Sequence, residues 1–134
     1  MSANLDLVRS IYADWERGDF SRADWADPDI EYVVADGPSP GVARGVVEMT
    51  RSWLEFMGTW EGVRAKANEC REIGVDRVLV FVRLSGGLAK TSGVALEDVQ
   101  AEGANVFHLR DGKVTKLVSY WDRDRALADL DLEG

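Results

Sequence analysis

The sequence has few cysteines and histidines, the residues that bind transition metals and, in the case of cysteine, form disulfides. It has one cysteine and one histidine among 134 residues. Cys70 cannot form a disulfide within the chain, and together with His108 it is too little for a transition-metal site. No G-x-G-x-x-G or P-loop motif occurs, so no nucleotide cofactor is indicated. We therefore predict no metal and no cofactor.

Excess positive charge and long apolar runs are absent as well. Sixteen basic and 24 acidic residues give a net charge of −8, which repels nucleic-acid phosphates and anionic lipid surfaces. The longest apolar strand-like run, residues 78–82, is far shorter than the roughly 18 residues that a membrane span needs. The first residues lack the basic and apolar regions of a signal peptide. We expect no nucleic-acid or membrane partner and a cytoplasmic location.

The residues that are present indicate one globular domain over residues 1–134. Hydrophobic residues make up 46% and charged residues 30% of the chain, which is enough to build a single core at this length. Apolar residues recur at helical spacing in residues 5–16 and 46–60. A capping-box pattern at Ser21 predicts a short helix between them, ending before Asp27-Pro28.

The rest of the chain is typical of strands. The predicted strands are residues 30–35, 63–67, 78–84, 93–96, 99–109 and 113–121. Asp111-Gly112, flanked by alternating apolar residues, is the strongest hairpin signal among them. Helices followed by antiparallel strands predict an α+β fold, with a curved mixed or antiparallel sheet wrapped around about three N-terminal helices and a conical cavity where sheet and helices separate.

The hairpin register assigns its side chains to two faces. We predict that one face points inward; it comprises Asn105, Phe107, Leu109, Thr115, Leu117, Ser119 and Trp121. His108 then lies on the outer face with Lys116 and Tyr120, and we interpret it as non-catalytic although its ordinary pKa suits acid–base work. We interpret Cys70 as a half-exposed strand residue without a neighbouring base.

The strand at residues 78–84 is apolar on both faces, and we assign Leu79, Phe81 and Arg83 to the interior. An inward guanidinium suits a carboxylate, enolate or phenolate ligand. A structural ion pair or an exit to solvent at the strand end explains Arg83 equally well. Asn105 suits a ligand carbonyl, or else a plain inter-strand hydrogen bond.

Aromatic residues complete the predicted pocket. Tyr12, Trp15, Trp53 and Trp121 suit stacking on a planar molecule, although aromatics at helical spacing also form ordinary core. The predicted ligand-binding set is Tyr12, Trp15, Trp53, Leu79, Phe81, Arg83, Asn105, Phe107, Ser119 and Trp121. The outer face would then carry Val78, Val80, Val82 and Leu84. Such an apolar sheet face predicts a homodimer through the sheet.

Several segments together resemble a known superfamily. They are Arg17-Gly18-Asp19-Phe20, residues 25–31, Pro40-Gly41 with Arg44-Gly45, residues 107–114 and residues 120–127. This pattern resembles the nuclear transport factor 2-like superfamily and, within it, the SnoaL-like (ketosteroid-isomerase-like) group. The resemblance implies a cone-shaped α+β domain, an apolar pocket and frequent dimerisation through the sheet. It does not imply one activity, because this cone serves isomerases, cyclases, dehydratases, epoxide hydrolases and non-enzymatic modules.

Similarity to steroid isomerases places an oxyanion-binding pair at Ile11 or Tyr12 and at Asn105, and a base carboxylate near Val33. Valine cannot act as a base, and an amide stands where that family has an acid. This departure argues against steroid-type proton transfer.

Other carboxylates could fill the base role under a small shift of the alignment. Asp36 and Glu31 are near the expected base, and Asp122, just beyond the last strand, could match the inward carboxylate of polyketide cyclases. Epoxide hydrolases use an Asp-Arg-Asp arrangement, for which Arg83 could be the arginine, but no inward acidic pair is evident.

Two hypotheses follow. The first is a cofactor-independent isomerase, cyclase or hydrolase acting on an apolar or cyclic carbonyl-bearing metabolite. The second is a non-catalytic ligand-binding or dimerisation module of the same fold, which the residues at positions 33 and 105 support.

Overall fold

The computed structural model describes residues 3–17, 19, 24–35, 41–61, 64–85, 88–89 and 102–130. For residues 54–61, 64, 84–85, 88–89 and 102 it describes the backbone alone. The helices are α1 (Ala3–Glu16), α2 (Gly45–Thr59) and α3 (Arg123–Asp129). The strands are β1 (Ala26–Val34), β2 (Gly41–Arg44), β3 (Trp60–Glu61), β4 (Arg64–Ile73), β5 (Arg77–Ser85), β6 (Leu88–Ala89), β7 (Glu102–Arg110) and β8 (Lys113–Tyr120).

Six of these strands form one unclosed sheet in the order β2-β1-β8-β7-β5-β4. The β1–β8 pair is parallel and its other pairs are antiparallel. Strands β3 and β6 form a separate two-stranded sheet. The predicted α+β class with a mixed sheet is confirmed.

The sheet has two different faces. On the inner face, strand residues pack with Val8, Ile11, Tyr12 and Trp15 of α1 and with Met49 and Trp53 of α2. On the outer face, Leu79, Val106, Val118 and Tyr120 pack with Ala126 and Leu127 of α3. The outer face is therefore covered in part by the chain's own last helix.

Helix α1 follows from its sequence pattern. Its buried residues, Val8, Ile11, Tyr12 and Trp15, recur at the three- and four-residue spacing that places them on one side of a helix. That side packs against β4 and β5, whereas α2 packs against β1 and β2. The two helices therefore lie over opposite parts of the inner face.

The hairpin of β7 and β8 is confirmed, but its register shifts between His108 and Leu109. The predicted inward position of Thr115 is therefore wrong, because Val114 lies opposite Leu109 and packs in the inner core. Asp111 and Gly112 both have positive φ, 52° and 77°, as a tight hairpin turn requires. Phe107 pairs directly with Leu117, and both belong to the inner core. The predicted inward direction of this part of the hairpin is thus correct.

The predicted orientation of β5 is wrong. Val78, Val80 and Val82 pack in the inner core, and Leu79 packs on the outer face. The reason is the pairing with β7, where Val78 lies directly opposite the inward Phe107, and opposite residues share a face. Since the three valines already pack against the helices, they give no reason for a partner on the outer face.

The N-terminal part of the sheet differs from the predicted boundaries. Asp24 and Trp25 form a turn and not a helix; residues 21–23 lie outside the described residues, as do the predicted strand at 93–96 and the start of the one at 99–109. Strand β1 begins at Ala26 in spite of Pro28, because its register against β8 is interrupted between Ala26 and Glu31. Within this interruption Asp29 N donates to Asp27 Oδ1 over 2.8 Å, so Pro28 displaces no ladder hydrogen bond.

No helix within the described ranges is both long enough and apolar enough to cross a bilayer.

Candidate functional site

A phenol and an amide meet on the inner face. Tyr12 lies on the buried side of α1, and Asn105 lies in the middle of β7 on the same face as Phe107. The Asn105 Nδ2 atom donates a hydrogen bond to the Tyr12 hydroxyl over 2.6 Å. The sequence resemblance had assigned an oxyanion-binding pair to these two positions, and the structure brings them into direct contact.

A second polar pair lies next to the first. Ser119 of β8 is the direct cross-strand partner of Asn105. Its hydroxyl lies 3.5 Å from the hydroxyl of Tyr32 on β1, whose ring meets the ring of Trp53 edge-on at 6.1 Å. The sequence analysis did not identify Tyr32. It could have been found from the inward Ile30, because residues two apart in a strand share a face.

Burial changes along the inner face of the hairpin. Close to the turn, Leu109, Phe107 and Leu117 are 5%, 0% and 1% exposed. Farther from the turn, Asn105 and Ser119 are only half-buried. Asn105 and Ser119 are therefore the less buried of these hairpin side chains, and the turn-proximal end is closed core.

Aromatic rings form that closed core. Trp15 contacts Tyr12 at 4.9 Å and Trp53 at 5.6 Å between ring centroids. Trp25 stacks on Trp53 at 5.9 Å, and Phe107 meets Tyr12 edge-on at 5.9 Å. The predicted pocket aromatics Tyr12, Trp15, Trp53 and Phe107 are thus brought together, with Tyr12 at the border of the polar pairs.

Both phenols stay neutral. Burial raises the pKa of Tyr12 far above its ordinary value, and the hydrogen bond from Asn105 opposes this only in part. Burial likewise raises the pKa of Tyr32, against smaller opposing effects of its hydrogen bonds with Ser119 and Trp53. Neutral hydroxyls and amides can donate and accept hydrogen bonds, but neither phenol is available as a phenolate base.

Three predicted pocket residues lie elsewhere. Leu79 and Phe81 belong to the outer face, and Arg83, which follows them at the same strand spacing, is exposed. Phe81 instead carries the guanidinium of Arg123 over its ring at 5.0 Å. Trp121 is half-buried immediately after the end of β8. The inward prediction for Leu79, Phe81 and Arg83 is wrong for the same reason as the prediction for β5.

The carboxylates considered as bases are not in this site, as far as the described residues extend. Asp122 is exposed and caps α3, accepting from Asp124 N over 2.9 Å. Glu31 pairs across the sheet with Lys116 and Arg44, on the face of the outward Val33. Asp36 lies outside the described residues.

His108 and Cys70 are both half-buried. His108 lies opposite Lys116 and Arg77, and burial, followed by these two cations, lowers its pKa. Cys70 packs against the inner core, because an irregularity in β4 between Ala67 and Glu69 changes the alternation. Burial raises the pKa of its thiol, which leaves it a poor nucleophile at neutral pH.

Other kinds of site are not apparent in the parts of the chain that the structure describes. No three His, Cys, Asp or Glu side chains there converge as metal ligands. An open groove lies between α1 and the β7–β8 turn, and its lining includes Leu7, Ser10, Asp14 and Lys113. Asp14 is already paired with Arg17, and Lys113 with the Asp24 carbonyl. The inner-face pairs are therefore the stronger candidate.

An unclosed mixed sheet, packed on two helices and carrying polar side chains on its inner face, defines a class of small α+β domains. The chain belongs to the SnoaL-like domain family, because the model of that family matches residues 8–117. No curated protein matches the chain.

Solved structures show the same fold. TerC, co-crystallised with polyporic acid, is 24% identical, with a TM-score of 0.73 and coverage of 96% of this chain and 98% of its own. A protein from Jannaschia sp. assigned as a SnoaL-like polyketide cyclase is 14% identical, with a TM-score of 0.71 and coverage of 98% and 94%. A ketosteroid isomerase-like protein from Catenulispora acidiphila in complex with trimethylamine is 16% identical, with a TM-score of 0.69 and coverage of 96% and 94%.

Proposed function

We propose that this SnoaL-like domain binds a small, uncharged, largely apolar molecule and holds one of its oxygen atoms between Tyr12 and Asn105. The observation that carries this proposal is the 2.6 Å contact between the two side chains, of which Tyr12 is buried and Asn105 half-buried. An amide N–H and a phenol O–H that now meet each other can both turn to one ligand oxygen. The surrounding aromatic rings suit the apolar body of such a molecule.

The absence of buried charge supports an uncharged ligand. Among the described residues no charged side chain is buried, and Arg83, the predicted partner for an anion, is exposed. A ligand carboxylate in this site would lose its hydration without gaining a counter-charge, which is costly. Structures of this fold were obtained with polyporic acid and with trimethylamine, which supports small-molecule binding but not the charge state of the ligand.

Removing one hydroxyl tests the proposal. We expect Tyr12→Phe to weaken the binding of 1-naphthol about fivefold, the equivalent of one net hydrogen bond of ~1 kcal/mol. Isothermal titration calorimetry of the unchanged chain and the variant measures the two dissociation constants. Binding should not vary between neutral and mildly alkaline pH, because the raised pKa of Tyr12 keeps the phenol protonated.

Tyr120→Phe is the matched control. Tyr120 lies on the outer face, and its hydroxyl donates to Asp129 over 2.9 Å, so the same chemical change there should leave naphthol binding unaltered. Equal losses in the two variants, or no saturable binding of 1-naphthol to the unchanged chain, would contradict the proposal. 1-Naphthoate, which adds a charge to the same ring, should bind more weakly than 1-naphthol.

A cofactor-independent enzyme is the second candidate. Two neutral donors aimed at one oxygen are the arrangement that stabilises a developing oxyanion, and relatives of this fold include proteins assigned as polyketide cyclases. Such a reaction also needs a base, for which Asp36 is the candidate in the sequence. Base-catalysed enolisation of 2-tetralone in deuterated water would exchange its α-protons, and NMR detects this. Exchange above the buffer rate that is lost in Asp36→Asn would favour the enzyme over the binding module.

Three expectations from the sequence accompany this proposal as predictions. The chain forms one domain over residues 1–134, it is cytoplasmic, and it forms a homodimer through the sheet. The dimer no longer draws support from the valines of β5, since these pack in the inner core.

A further inference from the structure

The end of β7 that lies farther from the hairpin turn extends past its neighbour β8. Strand β8 ends at Tyr120, which pairs with Ala104, whereas β7 continues to Gly103 and beyond it beside β5. Within the described part of the sheet, Gly103 is therefore held by the β5 ladder alone. A strand end held by one ladder opens more easily than a strand interior held by two. Asn105 lies only two residues from Gly103 in this strand.

Arg123, the first residue of α3, binds this end of β7. Its Nε atom donates to the Gly103 carbonyl over 3.0 Å, and its Nη2 atom donates to the Val82 carbonyl over 3.1 Å. Gly103 and Val82 are direct partners on β7 and β5. One guanidinium group therefore joins the two strands at the point where the β8 ladder has ended.

The side chain of Arg123 is itself held in place on the outer face of the sheet. It is half-buried, and its Cζ atom lies 5.0 Å from the centre of the Phe81 ring. Asp122 caps α3, and Ala126 and Leu127 pack the helix against the outer face. A planar guanidinium that stacks on a ring and donates two hydrogen bonds in a fixed geometry loses little freedom for each bond formed. The contact therefore fixes the position of the backbone that it binds.

The candidate site on the inner face depends on the position of this backbone. The Asn105 Nδ2 atom reaches the Tyr12 hydroxyl over 2.6 Å, and a binding side chain must stay within roughly 0.5 Å of its productive position. A shift of the β7 end moves Asn105 directly, whereas Tyr12 belongs to α1 and would stay in place. A looser end of β7 would therefore misalign the pair without unfolding the domain.

We propose that Arg123 is a positioning residue of the site formed by Tyr12 and Asn105. It holds the end of β7 against β5 from the outer face, so that the Asn105 amide stays directed at the oxygen position that it shares with Tyr12. Arg123 does not contact the ligand and acts through Asn105. This inference rests on the proposed function and assigns to it a residue on the opposite face of the sheet.

A double-mutant analysis of 1-naphthol binding tests the inference. We expect Arg123→Met to weaken binding at least about twofold, as part of the roughly fivefold effect of one net hydrogen bond, and to have no further effect in the Asn105→Ala protein. Arg123→Lys, which can bind one of the two carbonyls, should recover part of the loss. Arg125→Met makes the same change two residues later on the exposed side of α3 and should leave the dissociation constant unchanged. Isothermal titration calorimetry measures all of these variants.

The side-chain amide of Asn105 provides a second measurement that needs no ligand. The chain has three asparagines and one glutamine, so its side-chain amide NMR spectrum is simple, and Asn105→Ala identifies the Asn105 signals. We expect these signals to shift in Arg123→Met and to stay in Arg125→Met. The signals of Asn4, which donates to the Val75 carbonyl at the other end of the sheet, should stay in both variants.

The outcomes separate this inference from the proposed function. If 1-naphthol binds, an equal weakening by Arg123→Met with and without the Asn105 amide, or no weakening at all, overturns the inference. Unshifted Asn105 signals in Arg123→Met overturn it as well. If the unchanged chain does not bind 1-naphthol, the proposed function fails, and the NMR signals alone decide whether Arg123 positions the amide. Thermal melting identifies a misfolded variant, and if Arg123→Met misfolds, Arg123→Lys replaces it, with smaller effects in the same direction.

Discussion

Replacing Phe107 with alanine should destabilise the protein by about 3–5 kcal/mol, the usual cost of removing a large aromatic side chain from a core. Phe107 is 0% exposed, lies opposite Val78 and Leu117 in the sheet, and contacts the rings of Tyr12 and Trp15. Its removal would leave a cavity between the sheet and α1. Urea unfolding followed by far-UV circular dichroism gives the free energy of unfolding.

Val75→Ala is the control for this experiment. Val75 is 92% exposed, so its truncation should change the free energy of unfolding by less than about 0.5 kcal/mol. A loss below about 1 kcal/mol for Phe107→Ala would contradict the closed core at the turn-proximal end of the inner face. The same variant should also weaken naphthol binding, because Phe107 supports the ring of Tyr12.

The parts of the fold that were predicted correctly are the elements in which polar residues distinguish the exposed side from the buried side. Helix α1 has one apolar side, and the β7–β8 hairpin has the Asp111-Gly112 turn, although a register shift between His108 and Leu109 follows that turn. The inward direction of Phe107 and Leu117 and the contact between Tyr12 and Asn105 follow from these two elements.

Strand β5 could not be oriented from its own sequence. Residues 78–82 are apolar at every position, so alternation distinguishes no face, and both faces of the strand are in fact covered. Only the pairing of Val78 with Phe107 decides between them, and that pairing joins residues distant in the chain. The error carried Arg83 into the predicted pocket and Val80 into the predicted dimer face.

Irregular strands caused the remaining differences. The interruption in β1 between Ala26 and Glu31 has no clear signal apart from Pro28, which is typical of the boundary of an element. The irregularity in β4 turns Cys70 toward the core. Tyr32 shares the inner face with Ile30, two residues earlier in β1, so the side that it occupies could be predicted from the sequence.

A charge on the buried side of α3 should unfold much of the protein. Leu127 is 8% exposed and packs in the outer cluster with Leu79, Val106 and Val118. We expect Leu127→Asp to cost at least the roughly 2–5 kcal/mol of a buried Leu→Ala change, because the carboxylate can stay hydrated only if the helix leaves the sheet. Urea unfolding measures this loss.

Ala128→Asp places the same carboxylate one residue later on the exposed side of α3, and its effect should stay within about 0.5 kcal/mol. Equal stabilities of the two variants would show that α3 does not hold the outer face.

Light scattering on the unchanged chain and on Ala128→Asp measures the predicted homodimer independently of folding. Because α3 already covers Leu79, Val106 and Val118, we expect the predicted dimer to use the part of the sheet where Val42 is 59% exposed. Val42→Asp should then produce a monomer of unchanged stability, whereas Leu127→Asp should lose stability in monomer and dimer alike.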